Sequence, residues 1–298
     1  MQIRHLNPDD PVETVIGIEG LEQALHLMHI TDSHFAEWDQ RDSEEAQADG
    51  ERVLEIFQSR TPEGALPRQV FSQALARSNA LGVDATVLTG DIIHFPAWAG
   101  IEALEAEIGI LQAPYLYTLG NHDWHFAHQP WGPVTRADHY RRFTGLTDPG
   151  PAAQARRLGD VLLVALDNST YQLGEAQVDF LRQQLDTGMA CLLFIHIPVD
   201  IPTLRPDIME RWKAPIAMGA EDGWDEESRK KWLTDGVEPA TRAFMELIQS
   251  ERAAKLAGIF CGHVHFVHAD AFAPGRFQYV TKPGFEGGYR QIRLQPLD

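Results

Sequence analysis

The chain has 298 residues, of which 44% are hydrophobic and 23% charged, proportions that are typical of a globular protein rather than a disordered one. No apolar run reaches the roughly 18 residues that span a bilayer, so we expect no transmembrane helix. The N-terminus lacks the apolar core of a signal peptide, so we expect a cytoplasmic protein. The formal net charge of −18 repels polyanions and disfavours nucleic acid as a partner.

Short apolar runs alternate with amphipathic helical patterns along most of the chain. Apolar runs predict buried strands, and apolar residues at helical spacing, such as Phe71, Ala74 and Leu75, predict helices. In chain order, the predicted elements are a strand at 25–31, a helix at 67–81, a strand at 83–89, a helix at 101–111, strands at 114–119 and 161–166, a helix at 175–185, a strand at 190–195, a helix at 241–256 and a strand at 258–261. This alternation predicts an α/β architecture with mainly parallel strands.

The C-terminal part has a different pattern. Strands predicted at 270–273, 277–281 and 288–294 are separated by turn signals at Pro274-Gly275 and Pro283-Gly284, which predicts antiparallel pairing. Residues 198–238 have no strong periodicity and are rich in Pro, Asp, Glu and Trp. A segment of that length is often a lid or binding loop, and an ordinary surface excursion is the alternative. We interpret residues 1–298 as one domain in which 198–238 is a possible lid or insertion.

The two cysteines, Cys191 and Cys261, lie within or beside apolar runs that predict buried strands. Neither has the spacing of a zinc site. We therefore expect a reduced pair of core residues, with a single disulfide as the alternative.

Polar side chains recur directly after the predicted strands. The clusters are Asp32-Ser33-His34, Gly90-Asp91 with His94, Gly120-Asn121-His122-Asp123, the lone His196, and Gly262-His263-Val264-His265. Ligand sites of open α/β sheets gather beyond the carboxyl ends of the strands, so we expect the five clusters to meet in one pocket. Each cluster alone has an ordinary explanation, such as a turn or a hydrogen-bonded histidine, but their combination favours a shared site.

The residue types of these clusters indicate a metal site. Asp, His and Asn supply oxygen and imidazole donors, which suit Mn, Fe or Zn better than a thiolate-bound metal. In Asp32-x-His34 and His263-x-His265, alternate residues of an extended segment point the same way, so each pair can face the same metal ions. One carboxylate can bridge two ions about 3.5–4 Å apart, and Asp91 is the natural candidate for that bridge.

The series DSH, GDIIH, GNHD, a lone His after an apolar strand, and GHVH resembles the motif set of the calcineurin-like metallophosphoesterase superfamily. The resemblance extends from Asp32 to His265 and implies a four-layer α/β/β/α sandwich of two mixed sheets with outer helices. Residues 167–185 also resemble, more loosely, a stretch of the cyclic-nucleotide phosphodiesterase-like branch.

The resemblance implies a centre of two divalent or mixed-valence metal ions. It implies one ion held by Asp32, His34, His265 and Asp91, and a second ion held by Asn121, His196, His263 and the same Asp91. It also implies that His122 contacts the phosphate or protonates the leaving oxygen, and that Asp123 orients the His122 ring.

One position departs from many members of the superfamily. The residue three after the bridging carboxylate is His94, which resembles the DNA-repair nuclease branch, where a histidine assists at the phosphate. The absence of a tyrosine there argues against a tyrosinate-ligated iron site. We expect His94 to lie near the site, and a packing role is the alternative.

The resemblance implies hydrolysis of a phosphate ester by a hydroxide held between the two metals. The negative charge favours a small soluble substrate, and residues 167–185 favour a phosphodiester. A nuclease or a phosphomonoesterase on the same core is the alternative. His94 supports a nuclease and the net charge opposes it, although the acidic residues concentrate at 39–51 and 221–227 and leave room for a local basic groove. A non-catalytic protein-binding scaffold is the alternative of another class, although no predicted ligand is missing.

Overall fold

The computed structural model describes residues 1–297 and contains two six-stranded sheets. In spatial order, the first sheet contains β1 (Ile3–His5), β2 (Glu13–Glu19), β12 (Arg290–Leu297), β3 (Leu25–Ile30), β4 (Ala85–Thr89) and β5 (Tyr115–Thr118). The second contains β10 (His268–Ala273), β11 (Arg276–Val280), β9 (Leu256–Cys261), β8 (Ala190–Phe194), β7 (Val161–Leu166) and β6 (Ala153–Leu158). Both sheets are mixed: β3, β4 and β5 are parallel, as are β7, β8 and β9, whereas β12–β3 and β6–β7 are antiparallel.

Helices connect the strands and lie mostly on the outside of the sheets. The α-helices are α1 (Glu44–Gln58), α2 (Pro67–Leu81), α3 (Trp98–Ile108), α4 (Pro133–Tyr140), α5 (Glu175–Asp186), α6 (Arg205–Trp212), α7 (Glu226–Trp232) and α8 (Pro239–Gln249). Short 3₁₀ turns lie at Pro62–Gly64, Arg141–Phe143, Glu251–Ala253 and Gly284–Glu286.

The two sheets pack against each other around a shared core. Along β3, Leu27 lies in the core between the sheets and Met28 in the core on the outer face, because successive residues of a strand point to opposite sides. Leu163 and Val164 of β7 divide in the same way. Helices α2 and α3 cover the first sheet, and α5 and α8 cover the second. The implied four-layer α/β/β/α sandwich is therefore confirmed.

Most of the predicted elements are confirmed, but two predictions near the C-terminus are wrong. The helix predicted at 241–256 spans Pro239–Gln249, because the backbone becomes extended at Ser250 and Leu256 already pairs in β9. The last three strands do not form one antiparallel group, although β10 and β11 pair antiparallel as predicted. Strand β11 runs parallel to β9, and β12 joins the other sheet, where it is parallel to β2.

The segment 198–238 contains α6 and α7 and is anchored on the second sheet. Ile208 and Met218 belong to the core on that sheet's outer face, and the Trp212 indole N–H donates to the Val264 carbonyl at 2.9 Å. Cys191 and Cys261 are buried and free, as predicted. Within residues 1–297, no helix is long and apolar enough to cross a membrane.

Candidate metal centre

The predicted polar clusters converge where the parallel strands of both sheets end. Donor atoms of Asp32, His34 and His265 lie within 4.8 Å of one another, and so do those of Asp91, His196 and His263. A third group of three histidines joins His34 to His94 and His122. Because these residues follow β3, β4, β5, β8 and β9, one edge of the sandwich assembles six of the seven predicted ligands.

Asp91 lies between the two groups of metal donors that contain a carboxylate. Its Oδ2 atom lies 3.2 Å from His196 Nε2 and 3.7 Å from His34 Nε2, so a single oxygen faces both sets of donors. Its Oδ1 atom accepts the His122 backbone N–H at 2.8 Å. This is the position that a bridging carboxylate requires.

Asp32 occupies the equivalent place in the first group. Its Oδ1 atom is 3.2 Å from His265 Nε2 and 3.8 Å from His34 Nε2, and the two histidine nitrogens are 3.1 Å apart. The Asp32 Oδ2 atom accepts the Thr31 hydroxyl at 2.7 Å and the His263 backbone N–H at 2.9 Å. Hydrogen bonds thus hold the Oδ2 atom of the carboxylate, while the Oδ1 atom faces the imidazoles of His34 and His265.

Backbone conformation explains how these side chains converge. Five of the cluster residues have positive φ: Asp32 (51°), His34 (46°), Asp91 (49°), His263 (70°) and His265 (58°). Non-glycine residues rarely adopt this conformation, which costs about 1–3 kcal/mol each and gathers at functional sites. The expected extended backbone at Asp32-x-His34 and His263-x-His265 is therefore wrong, and tight left-handed turns bring the side chains together instead.

Two glycines allow the close approach of these turns. A Cβ atom at Gly120 would collide with the Asp91 carboxylate and backbone, and one at Gly262 would collide with Thr31 and the Asp32 carboxylate. Any larger residue at either position would displace a carboxylate of the cluster.

Two of the histidines, His196 and His263, are held by one ring nitrogen so that the other faces the cluster. His196 Nδ1 lies 2.7 Å from the Thr89 carbonyl and donates to it, which leaves Nε2 facing Asp91. His263 Nε2 lies 2.9 Å from the Tyr171 hydroxyl, which leaves Nδ1 toward the cluster. Partners of this kind fix the ring orientation of metal-ligating histidines.

Three buried side-chain atoms of the predicted ligands have no hydrogen-bond partner among the described residues, namely His196 Nε2, His265 Nδ1 and Asn121 Oδ1. A buried polar atom without a partner costs about 1–3 kcal/mol unless something binds it. The donors are carboxylate, amide and imidazole atoms, which Mn, Fe and Zn prefer. The residues therefore fit the pair of cations that the resemblance implies.

The electrostatics of the cluster favour a cation. Burial lowers the pKa of His34 well below 6.5 and that of His263 to about 3. Burial alone would also lower the pKa of His196, but the Asp91 and Asp32 carboxylates raise it to about 10. The carboxylates thus hold a positive charge at the His196 ring, where a metal ion would replace the proton.

His122 and His94 form a stacked pair beside the centre. Their ring centroids are 4.1 Å apart, and His94 Nδ1 lies 3.0 Å from His34 Nδ1. Burial lowers the pKa of both rings. His94 therefore lies at the site, as expected, and both rings are half-buried neutral imidazoles on its accessible side.

Asp123 binds backbone groups instead of the expected imidazole. Its carboxylate accepts the backbone N–H groups of Asp91 (2.8 Å), Gly120 (2.7 Å) and Ile93 (3.0 Å). Among the hydrogen bonds of residues 1–297, none joins Asp123 to the His122 ring. Burial and the neighbouring Asp91 raise the pKa of Asp123 to about 7. The residue orders the two loops that carry Asp91 and His122, because the amides of both loops bind one carboxylate.

Three aromatic residues of the site escaped the sequence analysis. Tyr171 bonds to His263, Phe57 stacks on His34 with centroids 4.3 Å apart, and the Trp212 ring lies 5.5 Å from the His265 ring. An isolated aromatic residue far from the motifs carries no signal of such a role.

The two tryptophans near His122 differ in exposure. Trp124 is fully buried and donates its indole N–H to the Ser169 hydroxyl at 2.9 Å, so it has a packing role. Trp131 is half-buried.

Two mixed sheets with a cluster of metal donors at their carboxyl edge define, together with the sequence family, a metal-dependent phosphoester hydrolase. The family described as calcineurin-like phosphoesterase matches residues 25–267, and the chain therefore belongs to that family.

Solved structures show the same fold in distant relatives. A dimetal phosphatase from Danio rerio superposes with a TM-score of 0.54 at 12% identity, covering 90% of this chain and 91% of its own. Purple acid phosphatase PPD1 from yellow lupin (Lupinus luteus) has a TM-score of 0.52 and 14% identity over 92% of this chain and 46% of its own. No curated protein matches the sequence significantly.

Proposed function

We propose that the chain hydrolyses a phosphodiester of a small soluble molecule at a centre of two metal ions, Mn, Fe or Zn. The observation that carries this proposal is the Asp91 carboxylate, whose Oδ2 atom faces His34 and His196 at once. One ion would be held by Asp32, His34, His265 and Asp91, and the other by Asn121, His196, His263 and Asp91.

When bound, the two ions neutralise charge on the phosphoryl oxygens and lower the pKa of a water molecule from about 15.7 toward about 7. The chain supplies the remaining functions. His122 holds an N–H beside the site and donates to the departing oxygen, while His94 keeps the His122 ring in place by stacking. Asp123 keeps the Asp91 and His122 loops at a fixed separation through its three backbone hydrogen bonds.

The phosphodiester part of the proposal is supported by the looser likeness of residues 167–185 to the cyclic-nucleotide phosphodiesterase-like branch. The charge of the site does not choose between the two kinds of ester, because two bound cations would offset the charge of a monoester as well as that of a diester.

A nuclease is the second candidate, favoured by the position of His94 against His122. The net charge of −18 opposes a polyanionic substrate. Salt separates the two functions, because binding of a nucleic acid weakens steeply as ionic strength rises whereas binding of a small monoanion changes little.

The test is a panel of phosphomonoesters, cyclic nucleotides, small linear diesters and single-stranded DNA, assayed with manganese and with metal content measured in parallel. We expect the small diesters to have the highest kcat/KM and the rates to be nearly independent of salt. Preference for a monoester or for DNA would refute the diester proposal. A protein that binds no metal and hydrolyses nothing would instead support the scaffold.

We also propose that the whole chain is one domain, that residues 198–238 cover the centre, and that the protein works in the cytoplasm. The core between the sheets, shared by Leu27 and Leu163, supports the first proposal. The contact of Trp212 with His265 supports the second, since it places this segment against a candidate ligand. The two free cysteines support a reducing compartment.

A further inference from the structure

Residues 167–171 form a loop that follows β7 and contains none of the predicted metal ligands. Its first three residues, Asp167, Asn168 and Ser169, are fully buried although their side chains are polar. Buried polar side chains need hydrogen-bond partners, because burial removes them from water. Three side chains of the loop find these partners in the segments that carry the predicted ligands of the second ion, which are Asn121, His196 and His263.

Asn168 fixes the turn that carries His196. Its Oδ1 atom accepts the backbone N–H groups of His196 and Ile197, both at 3.0 Å, and its Nδ2 atom donates to the Ile197 carbonyl at 2.6 Å. Strand β8 ends at Phe194, so these N–H groups lie beyond its backbone pairing with β7, and the Asn168 side chain takes the place of that pairing. The three bonds hold the backbone from which the His196 ring extends.

Two further side chains of the loop reach the other two ligand segments. The Ser169 hydroxyl accepts the Trp124 indole N–H at 2.9 Å, and Trp124 directly follows the polar cluster that contains Asn121. The Tyr171 hydroxyl lies 2.9 Å from His263 Nε2. Tyr171 has a positive φ of 64°, a conformation that non-glycine residues rarely adopt and that gathers at functional sites. The loop therefore turns sharply, and its side chains reach three separate segments.

The contacts of the loop are restricted to one side of the centre. Within residues 1–297, none of its hydrogen bonds reaches the predicted ligands of the first ion, Asp32, His34 and His265. Asp32 is held from elsewhere, because its Oδ2 atom accepts the Thr31 hydroxyl at 2.7 Å. A change in the loop should therefore affect the two metal sites unequally.

We propose that residues 167–171 position the ligands of the second ion, so that Asn168, Ser169 and Tyr171 set the affinity of that site and not of its neighbour. The inference rests on the two-ion centre of the proposed function and adds positioning residues to it. Partners that fix the ring and the backbone of a metal ligand raise the affinity for the ion, because less freedom is lost when the ion binds.

The test measures stepwise binding of Mn²⁺ to metal-free protein by calorimetry. His265→Ala removes a predicted ligand of the first ion and Asn121→Ala one of the second, so the step that each variant abolishes identifies its site. Asn168→Ala should weaken the second-ion step about 10- to 100-fold and leave the first-ion step within about twofold of wild type. Ser169→Ala should weaken the same second-ion step about 3- to 10-fold, because it removes one neutral hydrogen bond.

Ser78→Ala is the matched control for Ser169→Ala. Ser78 is also a buried serine, and its hydroxyl lies 2.6 Å from the Thr86 hydroxyl in the core away from the centre, so both binding steps should stay unchanged. Urea unfolding of each metal-free variant measures stability separately, and a purely structural role would lower stability without changing the ratio of the two affinities. Asn168→Ala strands two backbone N–H groups and can fail to fold, in which case Ser169→Ala decides the test.

A double-mutant cycle tests the route from Ser169 to Asn121. If Ser169 acts through the Trp124 indole, Trp124→Phe should weaken the second-ion step, and Ser169→Ala should add less than about twofold in that background. Fully additive effects would remove Ser169 from the proposal.

The outcomes separate this inference from the proposed function. Equal weakening of both steps, no weakening in Asn168→Ala and Ser169→Ala, or the same effect in Ser78→Ala would overturn the positioning role, while hydrolysis of diesters by the wild-type protein leaves the proposed function intact. Selective weakening of the second-ion step in a protein that prefers monoesters would support the positioning role and refute the diester. A wild-type protein that binds no metal would overturn both.

Discussion

The hydrogen bond between Tyr171 and His263 offers a test of the metal centre that needs no substrate. In the Tyr171→Phe variant the ring stays but the hydroxyl, 2.9 Å from His263 Nε2, is lost. If His263 binds metal through Nδ1, then Nε2 carries the proton, and the variant leaves that buried N–H without its acceptor. Loss of such a partner reduces metal affinity about 10- to 100-fold, which corresponds to roughly 1.4–2.7 kcal/mol.

The assay is a titration of metal-free protein with Mn²⁺, in which calorimetry measures the heat of each binding step. We expect one of the two binding steps to weaken in Tyr171→Phe and the other to stay near its wild-type affinity. Tyr279→Phe is the control, because it removes a similar bond, 2.7 Å from the Tyr279 hydroxyl to His5 Nδ1, in the core away from the centre. Unchanged affinity in Tyr171→Phe, or an equal loss in both variants, would refute the reasoning that His263 is a ligand oriented by Tyr171.

Three further substitutions test other parts of the structure. Asp91→Asn keeps the volume of the side chain but removes the negative charge that faces both His34 and His196. The metal content should therefore fall, and kcat should drop by roughly 10³-fold or more. Retention of both metals would refute the assignment of Asp91 as the bridging ligand. His122→Ala should lower kcat about 10²- to 10⁴-fold while the metal content stays unchanged, and an unaltered rate would remove His122 from the reaction. His29 is fully buried between the Thr281 and Thr89 hydroxyls, and burial lowers the pKa of its imidazole from 6.5 to about 3. Between these two pH values the unfolded chain binds more protons than the folded chain. The free energy of unfolding therefore falls as the pH drops through this window. His29→Gln should therefore be less stable than wild type at pH 7.5 by about 1–3 kcal/mol but should lose less stability on acidification, as urea unfolding at pH 7.5 and pH 5 would show; parallel pH profiles would contradict this account.

The elements that carry the site were predictable because they depend on local patterns. The apolar run before Asp32 became β3, and the run before Asp91 became β4, since a buried parallel strand reads as a continuous apolar stretch. The placement of polar residues after those strands then implied a common edge. In contrast, β12 was assigned to the wrong neighbours, because its pairing with β2 and β3 joins residues at opposite ends of the chain.

Several properties of the centre required the folded chain. The role of Asp123 depended on where the backbone amides of Asp91 and Gly120 point, and the sequence suggested a partner, the His122 ring, that the fold does not supply. The left-handed backbone at His34 and His265 was also hidden, because only contacts in the assembled site can stabilise so strained a conformation in a non-glycine residue.

By itself, the sequence predicted which polar side chains gather at the candidate centre and that they follow strands of an α/β fold, because residue type and strand periodicity are local properties. Tertiary structure alone decided which nitrogen of each histidine faces the cluster and which donors stay unpaired. Tyr171 and His263 are 92 residues apart, and His196 and Thr89 are 107 apart, so their hydrogen bonds exist only after the two sheets have packed together.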